Sequence, residues 1–334
     1  MLFQCKEADM AQFSDIFGNE QTKQNLKKSI AENNVTQAYL FHGESGVGKS
    51  LVVSVFAEAL LCTGDGDKPC GRCISCTTLE KENHPDVKKI TSPKKTIGID
   101  VIREQLNSDI FIKPYGDKKI YIIDNAQTLT PAAQNALLKT IEEPPSYAII
   151  ILVANGTNML LSTVLSRVNN IWIKPVNKGE MSAYLGKMKI TGEATEFFSE
   201  YARGNIGRFH QLYQDENFKE MRTFAVDFLV RLSKKDINEV LESFKEIEKY
   251  KDKILTLFEI WQIFFRDCLM LKEGLAQYSI QKDKINEMRT YTEKTEVNSL
   301  INRLEALSRA EQGLEVNANF QLTIELLLLR IRQS

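Results

Sequence analysis

Residues 43–50 read Gly-Glu-Ser-Gly-Val-Gly-Lys-Ser, the spacing G-x-x-x-x-G-K-S that wraps a phosphate. Gly43, Gly46 and Gly48 let the backbone curl until its N–H groups and the start of the next helix converge on an anion. Lys49 is placed to reach the outer phosphates and Ser50 to ligate Mg²⁺, so the implied ligand is ATP or ADP with Mg²⁺. The competing reading is a loop kept for its shape alone. Downstream, the apolar run 120–123 ends in Asp124, where a carboxylate holds the metal through water. Its plainer alternative is a cap on the following turn. The next residue is Asn125. An amide takes no proton from water, so the chain is expected to hold nucleotide and to hydrolyse it weakly or not at all.

A second cluster is Cys62, Cys70, Cys73 and Cys76. Four thiolates suit a closed, tetrahedral, structural Zn²⁺ site with no open position for water. An iron–sulfur cluster or unmetallated buried thiols are the alternatives. His84 lies nearby and reads as a turn residue before a strand. Cys5 and Cys268 stand apart from the cluster.

These residues need elements to position them. Residues 38–42 read as a strand feeding the phosphate loop and 50–61 as the helix after it. Strands are expected at 86–90, 119–123, 148–153 and 171–173, and an amphipathic helix at 99–110. The helix at 131–142 has Thr130 as its cap, Pro131 in its first turn, and Pro144 and Pro145 as its stop. Strands alternating with helices imply a parallel α/β sheet covered on both faces. From Pro175 onward the periodicity is helical. Short helices are expected at 178–187, 193–203 and 206–213, and longer ones at 218–233, 236–250, 254–272, 298–312 and 319–332. The expected plan is an α/β nucleotide domain over 1–175 with a cysteine module at 62–76, a helical lid over 176–214, and an all-α domain over 215–334.

Composition narrows the function classes. The 334 residues are 43% hydrophobic and 26% charged, with net charge −1. Nothing in that balance supports strong autonomous DNA binding. The first residues lack a signal-peptide pattern and no apolar run reaches membrane-spanning length, so a cytoplasmic location without membrane contact is expected.

One stretch is family-specific. Residues 135–145, Asn-Ala-Leu-Leu-Lys-Thr-Ile-Glu-Glu-Pro-Pro, resemble a string in AAA+ subunits of the bacterial replicative clamp loader. Other segments follow in order. Residues 15–20 are similar to the segment that packs near the adenine, and the cysteine module to the family's zinc knuckle. Ser166-Arg167-Val168 is similar to the Ser-Arg-Cys motif, with Val168 in place of Cys, and 319–325 to the last collar helix.

The resemblance implies a P-loop (AAA+) fold with lid and collar. Arg167 would act in trans as an arginine finger, aimed by Ser166 and Thr163, its alternative being an internal salt bridge. Asn155 would sense the γ-phosphate, its alternative being a turn residue. Motor subunits carry Glu after the metal-holding Asp and an Arg in a lid Gly-x-x-Arg pattern. Here Asn125 stands in the first place. The lid reads Gly204-Asn205-Ile206-Gly207, with Arg208 one place late. These losses resemble a stator rather than a motor, and an active motor ATPase of the same family is the alternative. The implied partners are the other clamp-loader AAA+ subunits, with the sliding clamp and primer–template DNA met through the assembled complex. No polymerase active site is visible in the sequence.

Overall fold

The computed structural model describes residues 11–81, 83–192, 194–293 and 295–333. Cys5 and the expectation about the first residues lie outside that range. The chain forms two compact units. The first runs through Tyr184 and includes Gly204–Arg208; the second is Leu185–Arg203 with the residues from Phe209 onward.

The first unit is built on five parallel strands: β1 (Ala38–His42), β2 (Val87–Ile90), β3 (Lys119–Ile123), β4 (Ala148–Ala154) and β5 (Asn169–Trp172), in the order β2-β3-β4-β1-β5. β4 is buried along its whole length. Its alternate residues serve opposite faces, as a period of two requires. Ile150 and Leu152 join Leu40, Ile123, Leu137 and Ile141 on one face; Ile149, Ile151 and Val153 join Phe41, Val53 and Phe56 on the other.

Helices cover both faces. They are α1 (Glu20–Ala31), α2 (Lys49–Leu61), α3 (Ile74–Glu80), α4 (Ile99–Ile102), α5 (Pro131–Glu142), α6 (Ser162–Leu165) and α7 (Lys178–Lys187), the last ending in the second unit. The Thr130 hydroxyl accepts the Ala133 N–H at 3.2 Å and so caps α5, as its sequence dictates. The helix expected over 99–110 is regular only through Ile102. It widens into a π-turn over Arg103–Asn107, which still buries Leu106.

The second unit is helical, comprising α8 (Thr195–Tyr201), most of α9 (Ile206–Gln214), α10 (Glu216–Leu232), α11 (Ile237–Glu242), α12 (Phe244–Glu248), α13 (Ile254–Lys272), α14 (Ile285–Thr292), α15 (Val297–Glu315) and α16 (Phe320–Gln333). Trp261, Phe264 and Phe265 of α13 are core residues, and the Trp261 indole donates to Ala225 O at 3.0 Å. The single helix expected over 236–250 breaks into α11 and α12. The buried Ser243 hydroxyl turns back to Glu239 O at 2.7 Å and accepts from Lys235 Nζ at 2.7 Å, a geometry that bends a helix. No helix among the described residues is long and apolar enough to cross a membrane.

Candidate functional site

The phosphate loop joins β1 to α2 at the C-terminal edge of the sheet, the edge at which open α/β sheets bind ligands. Gly46 and Gly48 have φ of +90° and +95°, conformations open to glycine without steric cost. Lys49 is 7% exposed. Its ammonium uses all three protons, donating to Gly43 O at 2.8 Å, Glu44 O at 2.7 Å and Asn155 Oδ1 at 2.9 Å. Burial pulls the Lys49 pKa down, against the opposing pull of Asp124 and Glu44. The three bonded partners of this buried ammonium are neutral oxygens, and a phosphate would supply a charged one, so the loop fits a nucleotide. Ser50, at the start of α2, is exposed.

Asp124 and Asn125 follow β3. Asp124 is exposed and its Oδ1 accepts the Asn125 N–H at 2.9 Å, while its charge is felt at Lys49. Asn125 sits at φ +53°, a left-handed position that asparagine tolerates better than most residues. Its side-chain oxygen accepts from Gln127 Nε2 at 3.1 Å, and Gln127 Oε1 accepts the Asn155 N–H at 3.1 Å. Asn125, Gln127, Asn155 and Lys49 therefore form one chain of neutral acceptors and donors ending at the ammonium. Gln127 is a member that the sequence reading missed. Its only signal was an amide two residues beyond Asn125.

Further around the same unit, Asn19 and the backbone of Lys174 bond reciprocally, each at 2.9 Å, which ties the 15–20 segment to the chain beyond β5. Arg167, after α6, lies apart from the phosphate loop. Its Nε meets Glu142 Oε1 at 2.5 Å, and its Nη1 donates to Thr163 O at 3.0 Å and to Ser166 Oγ at 3.2 Å. Its partners come from the end of α5 and from α6 with its cap, and its side chain is 40% exposed.

The four cysteines converge. The Sγ atoms of Cys62, Cys70, Cys73 and Cys76 all lie within 4.8 Å of one another. A tetrahedron of Zn–S bonds has edges of about 3.8 Å, so a small contraction of this set fits the ion. Backbone amides already point at the sulfurs: Cys70 N to Cys62 Sγ at 3.3 Å and Cys76 N to Cys73 Sγ at 3.5 Å. Burial opposes ionisation of Cys73, but the Cys76 and Thr63 N–H groups and the Thr63 hydroxyl outweigh it and bring that thiol down to about 5. Gly64 is needed for closeness, because a Cβ there would stand 2.6 Å from Cys70 Sγ. His84 is not in the cluster; its Nδ1 accepts the Asp86 N–H at 3.1 Å, a turn bond. Cys268 is fully buried in α13.

Comparison with known proteins places two family models on the chain. The model described as DNA polymerase III, delta subunit, matches residues 18–177, and that described as DNA polymerase III, delta subunit, C terminal, matches 216–333. Among curated proteins, DNA polymerase III subunit delta' of Bacillus subtilis is 24% identical over 92% of this chain and 94% of its own length. Subunit gamma/tau of Mycoplasma pneumoniae is 31% identical over 64% of this chain, which spans only 32% of that relative. Subunit tau of Bacillus subtilis is 25% identical over 96% of this chain, which spans 62% of it.

Proposed function

The chain belongs to the DNA polymerase III delta-subunit family, and on that footing we propose that it is the delta-prime-type stator of the replicative clamp loader. In this role it binds neighbouring AAA+ subunits and presents Arg167 to ATP held by one of them. The sliding clamp and primer–template DNA are met through the assembled complex, in the cytoplasm. Its own hydrolysis is weak or absent.

The observation that carries this reading is a division within the chain. The phosphate loop has its lysine, but the position after Asp124 is an amide committed to Gln127. The guanidinium, by contrast, stands on the surface, held by α5 and α6 and not by its own loop. A guanidinium beside a transferring phosphoryl group stabilises the charge spread over its oxygens, an effect worth 10³–10⁵ in rate in related chemistry. At the chain's own loop, Lys49 and Ser50 would hold phosphate and Mg²⁺, Asp124 would hold the metal through water, and Asn155 would face the outermost phosphate. Bound ATP or ADP would there be a structural ligand. The cysteine module is assigned a structural Zn²⁺, whose closed sulfur shell leaves no position for substrate.

The helical unit supports an assembly role. Ile237 and Leu241 of α11 and Leu322 and Leu326 of α16 are exposed on two helices that pack together. In each helix the pair is spaced i, i+4, so each presents an apolar strip of the kind that subunit contacts cover. The lid (176–214) and collar (215–334) are the working divisions of this proposal. Reconstitution with the motor subunits tests it: Arg167→Ala should abolish stimulation of the neighbour's ATPase and clamp loading. If both survive, the assignment in trans fails.

A further inference from the structure

The phosphate loop is gripped by the segment in which the lid pattern lacks its arginine. Gly204–Arg208 returns to the first unit and lies against residues 45–46. Asn205 is 3% exposed. Its Nδ2 donates to Ser45 O at 2.7 Å, and its Oδ1 accepts the Arg208 N–H at 3.0 Å, closing the first turn of α9. The Gly207 N–H, one of the donors that a helix start leaves without a partner in its own helix, donates to Gly46 O at 2.9 Å. Both loop carbonyls are thus satisfied from outside.

The approach leaves no room for a side chain at 207. A Cβ there would stand 2.7 Å from Gly46 O and 2.8 Å from Gly46 Cα, and one at Gly46 would stand 2.6 Å from Asn205 Oδ1. Gly204 completes the fit, since a Cβ on it would meet Val176 O at 2.0 Å and its φ is +77°.

We infer that Asn205 and Gly207 are positioning residues, a strap that fixes the phosphate loop in its curled, anion-ready shape before nucleotide arrives. The inference extends the proposed function, and its effect on affinity rests on the reading that the loop receives nucleotide. Glycine at 207 is then more than a lost arginine. It is the residue that allows backbone to touch backbone, and restoring a side chain would undo the strap.

Hydrogen–deuterium exchange of the loop peptide, with binding of fluorescent mant-ADP to the full chain, tests the strap. Asn205→Asp keeps the oxygen that caps Arg208 but has no N–H for Ser45 O, so it separates the strap from mere capping. Gly207→Ala inserts the clashing Cβ. In nucleotide-free protein both variants should exchange the 43–50 amides roughly tenfold faster than wild type, from the loss of one or two hydrogen bonds. Gly207→Ala should also weaken mant-ADP binding roughly tenfold. The strap is overturned if wild-type loop amides exchange as fast as those of either variant. If the exchange difference appears but wild type binds no mant-ADP, the strap stands and the nucleotide reading falls.

Discussion

Glu142 at the end of α5 holds Arg167 through Nε at 2.5 Å, while Nη1 is taken by Thr163 O and Ser166 Oγ. Among the described residues Nη2 has no partner. The guanidinium is therefore held at two of its three nitrogens, Nε and Nη1, which donate in different directions.

If Arg167 acts in trans as proposed, this ion pair would make Glu142 the residue that aims it. In a reconstituted loader, Glu142→Gln should cut the neighbour's turnover several-fold, well short of the loss of about 10³ or more expected for Arg167→Ala. Neither change should move the melting temperature appreciably, because exposed ion pairs contribute about 0–1 kcal/mol. Equal turnover in Glu142→Gln and wild type, by steady-state ATPase assay, would remove Glu142 from the account.

Asn125 at φ +53° carries a second prediction. Asn125→Glu supplies a carboxylate but also forces a longer side chain into the left-handed region, at a cost of roughly 1 kcal/mol. The variant should unfold at lower denaturant concentration with an unchanged slope. An unshifted midpoint would show that the turn imposes no such preference.

Glu58 on α2 gives the pH dependence. Burial, with a smaller push from Glu80, raises its pKa from 4.5 to about 7, and its Oε2 is buried without a partner. The folded chain then binds more protons here than the unfolded chain between those values, so stability falls as pH rises from about 4.5 to 7. Glu58→Gln should gain melting temperature relative to wild type at pH 8 and show little gain at pH 4.5. A gain equal at both pH values would rule out titration of Glu58 as the cause.

The cysteine cluster predicts one tightly bound zinc per chain by elemental analysis. Cys73→Ser should bring the bound metal close to zero, whereas Cys268→Ala, which changes a cysteine outside the cluster, should leave it unchanged. Iron in place of zinc, or full metal retention by Cys73→Ser, would refute the assignment.

In the helical unit, Arg222 and Asp283 form a buried two-bond pair, with Nη1 to Oδ2 at 2.8 Å and Nη2 to Oδ1 at 2.7 Å. Asp283→Ala strands the guanidinium, and a loss of about 3–5 kcal/mol is expected in chemical denaturation. Arg222→Met with Asp283→Leu should cost markedly less. A double variant as unstable as the single one would mean that the charge is not what matters.

The sequence carried the local part of this architecture well. The loop spacing, the unbroken apolar run of β4 and the cap at Thr130 depend on residues close in the chain, and the four cysteines meet as their spacing suggests. Part of what escaped it depends on distant partners, and part on local geometry that no residue type announces. Lys49 bonds Asn155 across 106 positions, and Asn205 reaches Ser45 across 160. Nothing local marks Ser243 as a helix break, because the break needs Lys235 and Glu239 at the same hydroxyl. The π-turn at Arg103 likewise lacks a proline or glycine to announce it.

Helix α2 starts at the phosphate loop with Lys49 and ends at Leu61, beside Cys62 of the cysteine cluster. A single rod of about 20 Å thus has an anion cradle at its head and a sulfur cage at its foot. If the proposed ion and nucleotide both bind, any coupling along it is symmetrical: whatever factor the ion imposes on nucleotide affinity, nucleotide must return on the affinity for the ion. A chelator titration followed in the presence and absence of ADP reads that factor from the other end.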